Sequence, residues 1–194
     1  MKPLRRIVAV ISYCLLALVA SAKEHEESVF LFQNRKVSIL VPDGFGFASN
    51  KAENGMMTVS VSDKKETLSL SITFLPDPDE RFASARSRKE FMNENFRAYV
   101  DHSVEQAMQF EDFESKTGAG TFCVFTDASL VGKTKFPRGE FLHSTAGLKA
   151  WPGVLAVFSL FSNDTKSRDY QALMTLLRDG LREEGSVPAA LAKP

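Results

Sequence analysis

The feature that most restricts this chain is a two-residue rhythm between Met57 and Phe74. Met57, Val59 and Val61 alternate with Thr58, Ser60 and Ser62. After Asp63-Lys64-Lys65-Glu66 the rhythm resumes, with Leu68, Leu70, Ile72 and Phe74 set against Thr67, Ser69, Ser71 and Thr73. Successive side chains of a strand point to opposite faces, so this alternation predicts a hairpin with one face buried and one wet. The wet face carries small hydroxyls. These suit a strand sterically and need no ligand to explain them.

Other segments read the same way. Residues 29–32 and 37–41 are apolar runs flanking Asn34-Arg35, a second predicted hairpin. Pro42-Asp43-Gly44 ends it, because Pro lacks an N–H and Gly permits a tight turn. Pro76-Asp77-Pro78-Asp79 breaks the alternation and starts a loop. Residues 111–116 and 121–126 flank a predicted turn at Thr117-Gly118-Ala119-Gly120, and 139–145 is a third strand of that group. Residues 154–161 are apolar on both faces, which predicts a central strand covered from both sides, after the turn Trp151-Pro152-Gly153.

Between the two strand groups the period lengthens. From about residue 87 to 110, Met92, Phe96, Tyr99, Val100, Val104 and Ala107 share one helical stripe, with Glu90, Glu94, Asp101 and Glu105 opposite. This predicts one long amphipathic helix. A second helix is predicted over about 166–182, with Tyr170, Leu173, Met174, Leu177 and Leu181 as its stripe and Asn163, Asp164 or Thr165 as its cap. The predicted class is therefore α+β: a single domain over residues 23–184, with an antiparallel sheet of about six or seven strands in two hairpin groups, a long middle helix and a C-terminal helix. Residues 185–194, rich in Ala and Pro, are predicted to form a flexible tail.

Residues 1–22 have a separate logic. Lys2, Arg5 and Arg6 precede an apolar run over 7–19, and Ala20-Ser21-Ala22 follows, a small-x-small pattern. That order predicts a secretory signal peptide cleaved after Ala22, with the product exported to the periplasm or secreted. The apolar run is shorter than the ~20 residues a membrane span needs, so no stable span is expected after cleavage. Leu4 before the arginine pair argues against the twin-arginine route, and Tyr13 before Cys14 argues against lipidation.

Composition bounds the function. Cleavage lowers the 24 basic residues by three, to 21, against 24 acidic ones, a net charge of −3. Nucleic-acid binders carry a strong basic excess, so that class is disfavoured. Cys123 is the one thiol left, so no internal disulfide is possible and the core must hold the fold. All 16 Phe lie after residue 22, enough bulk for such a core.

The segment Lys36-Val37-Ser38-Ile39-Leu40-Val41-Pro42-Asp43-Gly44-Phe45 resembles PsbP-like proteins, in which an early strand often ends in a Pro–x–Gly–aromatic turn. The alternating hairpin, the middle helix and the C-terminal helix agree with that resemblance. It implies an antiparallel sheet between helices and mainly non-enzymatic, exported accessory or binding proteins. It transfers no catalytic residue.

Motifs for chemistry are sparse. Val131-Gly132-Lys133-Thr134 lacks the first glycine of a phosphate loop, and Asp127 in its place would repel a phosphate. Asp101-His102-x-x-Glu105 offers metal-ligand types on a polar helix face without a convergent third ligand. His25 lies among Glu24, Glu26 and Glu27 in what reads as a frayed start. Asp77, Asp79 and Glu80 lack the spacing of a calcium loop. Ser144 follows His143 directly, so the two point apart along a strand, and no Gly-x-Ser-x-Gly elbow exists. Cys123 with His143 is a candidate nucleophile and base, against an inert thiol inside Phe122-Cys123-Val124-Phe125. Lys133, Lys135 and Arg138 form a small basic loop around Phe136-Pro137.

No catalytic, cofactor or metal residue is assigned. The expected function is an exported, non-enzymatic accessory or binding protein with a protein partner or a small apolar ligand. The loop aromatics Phe45, Phe47, Phe136 and Trp151 form its candidate interaction surface, and a pocket is expected between the sheet and the long helix. The alternatives are a carrier of a lipid or other apolar molecule and an enzyme built on His143, Cys123 or His102 with Glu105. Mass spectrometry of the protein recovered from its exporting host is expected to return the mass of residues 23–194. A mass that still includes residues 1–22 would overturn the cleavage.

Overall fold

A computed structural model describes residues 24–184; the predicted signal peptide and tail lie outside them. The architecture is one α+β fold built on antiparallel strands. In chain order these are β1 (Glu24–Phe30), β2 (Lys36–Pro42), β3 (Phe45–Lys51), β4 (Met57–Asp63), β5 (Leu68–Asp77), helices α1 (Ala85–Asn95) and α2 (Arg97–Asp101), β6 (Glu111–Ser115), β7 (Gly118–Thr126), β8 (His143–Trp151), β9 (Gly153–Ser162), α3 (Arg168–Thr175), and β10 (Leu181–Glu184). Seven strands form one sheet in the order β3-β4-β5-β9-β8-β7-β6, and β1-β2-β10 form a second.

The alternating hairpin is β4–β5, with Val59 opposite Ile72 and Ser60 opposite Ser71. Its apolar set lines one face of the large sheet and meets the three-stranded sheet and α3 in a core that includes Ile39, Phe74, Phe158, Leu173 and Leu177. The other face carries a second core under α1, with Met92, Phe96, Cys123, Phe125, Leu148 and Leu155. Strand β9 is the middle strand of the seven and feeds both cores, Phe158 on one side and Leu155 on the other. Apolar residues on both faces of 154–161 follow from that position.

The middle helix is not one helix. It stops at Asn95, resumes as α2, and gives way to irregular chain from His102. The reason is where the backbone bonds go. Val104 N–H donates to Thr126 O, Ala128 N–H donates to His102 O, and Ser103 bridges Asp127, so the chain after α2 pairs with the end of β7 instead of continuing its own ladder. Gln106 then takes a left-handed φ of 49°, which no helix accepts. Val104, placed on the apolar stripe by its spacing, is left 54% exposed.

The C-terminal helix is also shorter than its stripe. It starts after Ser167, whose hydroxyl accepts from Tyr170 N–H, one turn later than the cap expected at 163–165. A π-helical turn over Leu176–Gly180 follows α3, and the chain then extends as β10 beside β2. Arg35 grips Glu183 with two bonds of 2.6 and 2.5 Å and also donates to Pro152 O, and Lys36 pairs with Glu184. These contacts reward a strand over a further helical turn.

Other boundaries shift for local reasons. Glu24–Glu27 is not frayed but lies in β1, and Ser38 donates to Glu26. Gly44, at φ 89°, turns the chain directly into β3, so Phe45 and Phe47 are strand residues packed against the first core. Strand β5 runs on through Pro76 and Asp77. The β6–β7 turn narrows to Lys116-Thr117, because Gly120 belongs in β7: a Cβ there would run into the Phe113 ring. The strand expected over 139–145 begins at His143 and runs to Trp151.

Arg88, on α1 and 3% exposed, fastens the helix to the sheet. Its Nε donates to Thr121 Oγ1 at 2.9 Å, and Nη1 donates to Phe82 O and Ala83 O at 3.0 and 2.8 Å. Thr121 Oγ1 in turn donates a hydrogen bond to Asp112, which Lys89 also holds. Arg88→Met is expected to lower the unfolding free energy by about 3 kcal/mol, since two buried acceptors and a part-buried one lose their donor. Urea denaturation checks this; a loss below about 1 kcal/mol would make the arginine dispensable.

Candidate functional site

Among the described residues, beside a shallower pocket next to α2, a more voluminous opening lies on the α3 side of the large sheet. It is a cleft of about 470 Å³ between the β6–β7 hairpin and α3. Register explains its floor. Glu111 opposes Phe122 and Phe113 opposes Gly120, so Glu111, Phe113 and Phe122 share one face. The two rings are tilted at 47° with centroids 6.2 Å apart. From α3 and the turn after it, a spacing of four residues brings Tyr170, Met174 and Arg178 to the opposite wall. The result is an apolar floor of Phe113, Phe122, Val124 and Met174 with polar groups around it.

The charged groups of the rim are unequal. Asp112 is held by Lys89 at 2.6 Å, and Arg178 Nε donates to Asp179 at 2.8 Å. Glu111 is exposed and has no ion-pair partner among the described residues. Tyr170 Oη and Thr145 Oγ1 bond at 2.7 Å beneath the cleft, and burial raises the phenol pKa above its ordinary value.

Behind the cleft sits Lys149, fully buried on β8. Its Nζ donates to Thr117 Oγ1 at 2.7 Å and to Arg178 O at 2.8 Å, and it lies 5.8 Å from the Trp151 ring centroid. Among the described residues no carboxylate touches it. Burial pulls its pKa down to about 8, partly offset by Asp179. Neither the cleft nor Lys149 was foreseen from the sequence. The one available signal was a lysine inside the apolar strand Gly147-Leu148-Lys149-Ala150-Trp151.

The expected candidates are dispersed. Phe45, Phe47 and Trp151 pack against the first core and are not a shared loop surface; only Phe136 sits in a loop. Trp151 meets Phe74 edge to face at 6.2 Å, and its buried Nε1 has no hydrogen-bond partner among the described residues. Cys123 is fully buried in the second core, where burial pushes its thiol up to about 12. His143 opposes Thr126, three positions along from Cys123 and on the other face, so the two cannot act as nucleophile and base. His102 caps the end of α2 and is exposed.

Glu105 is not on a solvated helix face. Its carboxylate accepts from Thr126 N–H and Thr126 Oγ1, both at 2.8 Å, and Thr126 Oγ1 lies 3.3 Å from His143 Nδ1. Burial raises the Glu105 pKa, and hydrogen bonds from Thr126, its own backbone and Ser103 together outweigh it, leaving the carboxyl below its ordinary value. Burial lowers the His143 pKa, with Glu105 and Asp164 opposing. Ser144 shares a shallow pocket of about 190 Å³ with His102 and Asp127, a combination the sequence separation hid. No hydrogen bond links those three side chains among the described residues. Gly132 is a turn residue at φ 79°, and Arg138 of the basic loop is held by Glu66 with bonds of 2.6 and 2.8 Å. Asp77 uses its carboxylate on the Arg81 and Phe82 N–H groups.

Among the described residues no group of three or more His, Cys, Asp or Glu is placed to hold a metal ion. No helix among them is long and apolar enough to cross a membrane. No protein-family model matches the chain, and no curated protein matches it.

Lys149 makes stability depend on pH in a defined direction. Its folded pKa lies below the unfolded one, so between pH 8 and about 10.4 the unfolded chain holds the extra proton and stability rises with pH. Denaturation curves from pH 7.5 to 10 are expected to show the native chain gaining on a Lys149→Met variant by up to a few kcal/mol. A constant difference across that range would place the lysine pKa at its ordinary value.

Proposed function

We propose that this chain is an exported, non-enzymatic binding protein that works through the cleft between β6–β7 and α3. The observation that carries the reading is the cleft itself. At about 470 Å³ it falls within the range of ligand sites, with Phe113, Phe122, Val124 and Met174 set in a lining otherwise made of polar groups from Glu111, Asp112, Tyr170, Gln171, Thr175 and Arg178. Its walls are a sheet and a packed helix, which hold a surface in fixed shape. The residues offered by the sequence for catalysis lie outside this cleft: Cys123 and His102 are apart from His143, and Glu105 meets His143 only through Thr126. The order of charged, apolar and small residues in 1–22 supports export. The resemblance of residues 36–45 to PsbP-like proteins points the same way. A second reading, carriage of a small apolar molecule, is favoured by Phe113, Phe122 and Met174 on the floor of the same cleft.

A photo-crosslinking residue at Thr175, exposed on the α3 wall, tests this in the exporting host. Discrete adducts are expected from Thr175 and not from the same group at Glu53, an exposed turn far along the chain. Their mass separates a protein partner from a small cargo. Equal adducts at both positions, or none at either, would sink the cleft as the working surface.

A further inference from the structure

We propose that β3 is a dimerisation edge, and that its occupant is the same strand of a second copy of this chain, joined antiparallel about a two-fold axis at Ala48. The dimer does not depend on what the cleft holds. Strand β3 ends the large sheet at the side away from β6 and pairs with β4 alone; among the described residues no strand lies along its outer side.

Natural sheets protect such an edge with charged side chains, proline or a bulge. The other outer strands of this molecule follow that rule. Strand β1 carries Glu24, Glu26 and Glu27, β6 carries Glu111, Asp112 and Glu114, and β10 carries Arg182, Glu183 and Glu184. Strand β3 does not. Its register with β4 runs unbroken from Phe45 to Lys51, it holds no proline, and its one charge, Lys51, stands at the very end. From Ala48 onward every residue of it is exposed.

The parity of the backbone fixes how two such edges meet. Just past the strand, Ala52 N–H donates across the hairpin to Met56 O at 2.9 Å. Alternation then turns the backbone groups of Asn50, Ala48 and Gly46 toward β4, and those of Phe45, Phe47, Ser49 and Lys51 outward. An antiparallel pairing centred on Ala48 sets Phe45 opposite Lys51 of the second copy, and Phe47 opposite its Ser49. Outward residues thus face outward residues throughout. Each such pair exchanges two hydrogen bonds, and no outward N–H or C=O of the strand is left over.

The side chains agree with that register. Phe45 and Phe47 are half-buried against the first core and gain cover. The stem of Lys51 lies over Phe45 of the other copy, and the two Phe47 rings become diagonal neighbours across the axis. On the opposite face Ala48 meets Ala48 and Gly46 meets Asn50, small groups that let the strands close. The two Lys51 side chains fall at opposite ends, so no like charges oppose one another. The joined sheet carries one β6 cleft at each far end.

Sedimentation of the chain purified from its exporting host is expected to show a monomer–dimer equilibrium. Hydrogen exchange is expected to slow at Phe45, Phe47, Ser49 and Lys51 as the dimer forms. Ala48→Lys and Ala48→Glu each set like charges on the axis and alter only an exposed side chain. Either variant alone is expected to weaken the dimer by about tenfold or more, and an equimolar mixture of the two to restore it. Recovery in the mixture shows that neither variant failed by misfolding. The proposal falls if the chain stays monomeric at every concentration, if the dimer persists unchanged in both variants, or if the mixture does not recover it. It also falls if β3 is already protected in the monomer, which would give the edge to a segment of the chain itself. Any adduct that the dimer contributes at Glu53 has the mass of a second copy and is distinct from those of Thr175, so loss of either surface leaves the other standing.

Discussion

Each face of the large sheet is closed around one buried cation, and the placing of the helices depends on those two groups. A lysine or arginine taken out of water must find acceptors, and the nearest are backbone carbonyls that helices and loops leave unpaired. Arg88 finds those of Phe82 and Ala83 at the start of α1, and Thr121 on the sheet beneath. Lys149 reaches up from the sheet to Arg178 O, where the π-helical turn ends, and to Thr117 at the β6–β7 turn. One cation descends from a helix and the other rises from a strand. Both fix the relation of helix to sheet by direction, which apolar packing alone does not.

Lys149 also defines the cleft. By holding Arg178 O and Thr117 together it sets the distance between the end of α3 and the turn of the β6–β7 hairpin. The cleft is the space left between two walls joined at that point. Its floor is open because β6 is short and α3 lies over the neighbouring strands, reaching Thr145 on β8 through Tyr170.

What was legible in the sequence was the period. The alternation of 57–74 gave β4 and β5, their partnership and their buried face, and the two-sided apolar run gave the central place of β9. Period failed where long-range bonds compete with local ones. Residues 102–104 and 181–184 continue apolar helical stripes, yet their backbones pair with Thr126–Ala128 and with β2. Strand β3 was invisible because it is an edge, with mixed burial and a Gly-Phe-Ala-Ser-Asn composition that no periodic pattern marks. The cleft was hidden for a different reason. Its walls, Glu111–Val124 and Tyr170–Arg178, are ordinary amphipathic elements, and only the order of strands brings them side by side.

Strand β2 lies between β1, the first described element, and β10, the last described one, so that Ile39 faces both Glu27 and Leu181. This small sheet therefore cannot be completed in the order in which the chain is made. Its first two strands are available early, while the third arrives after the whole seven-stranded sheet has passed. Until then one side of β2 stays open, and Val37 and Ile39 lack part of their cover. Closure brings the last pairing partner across nearly the whole described chain, a contact that slows folding but joins its beginning to its end.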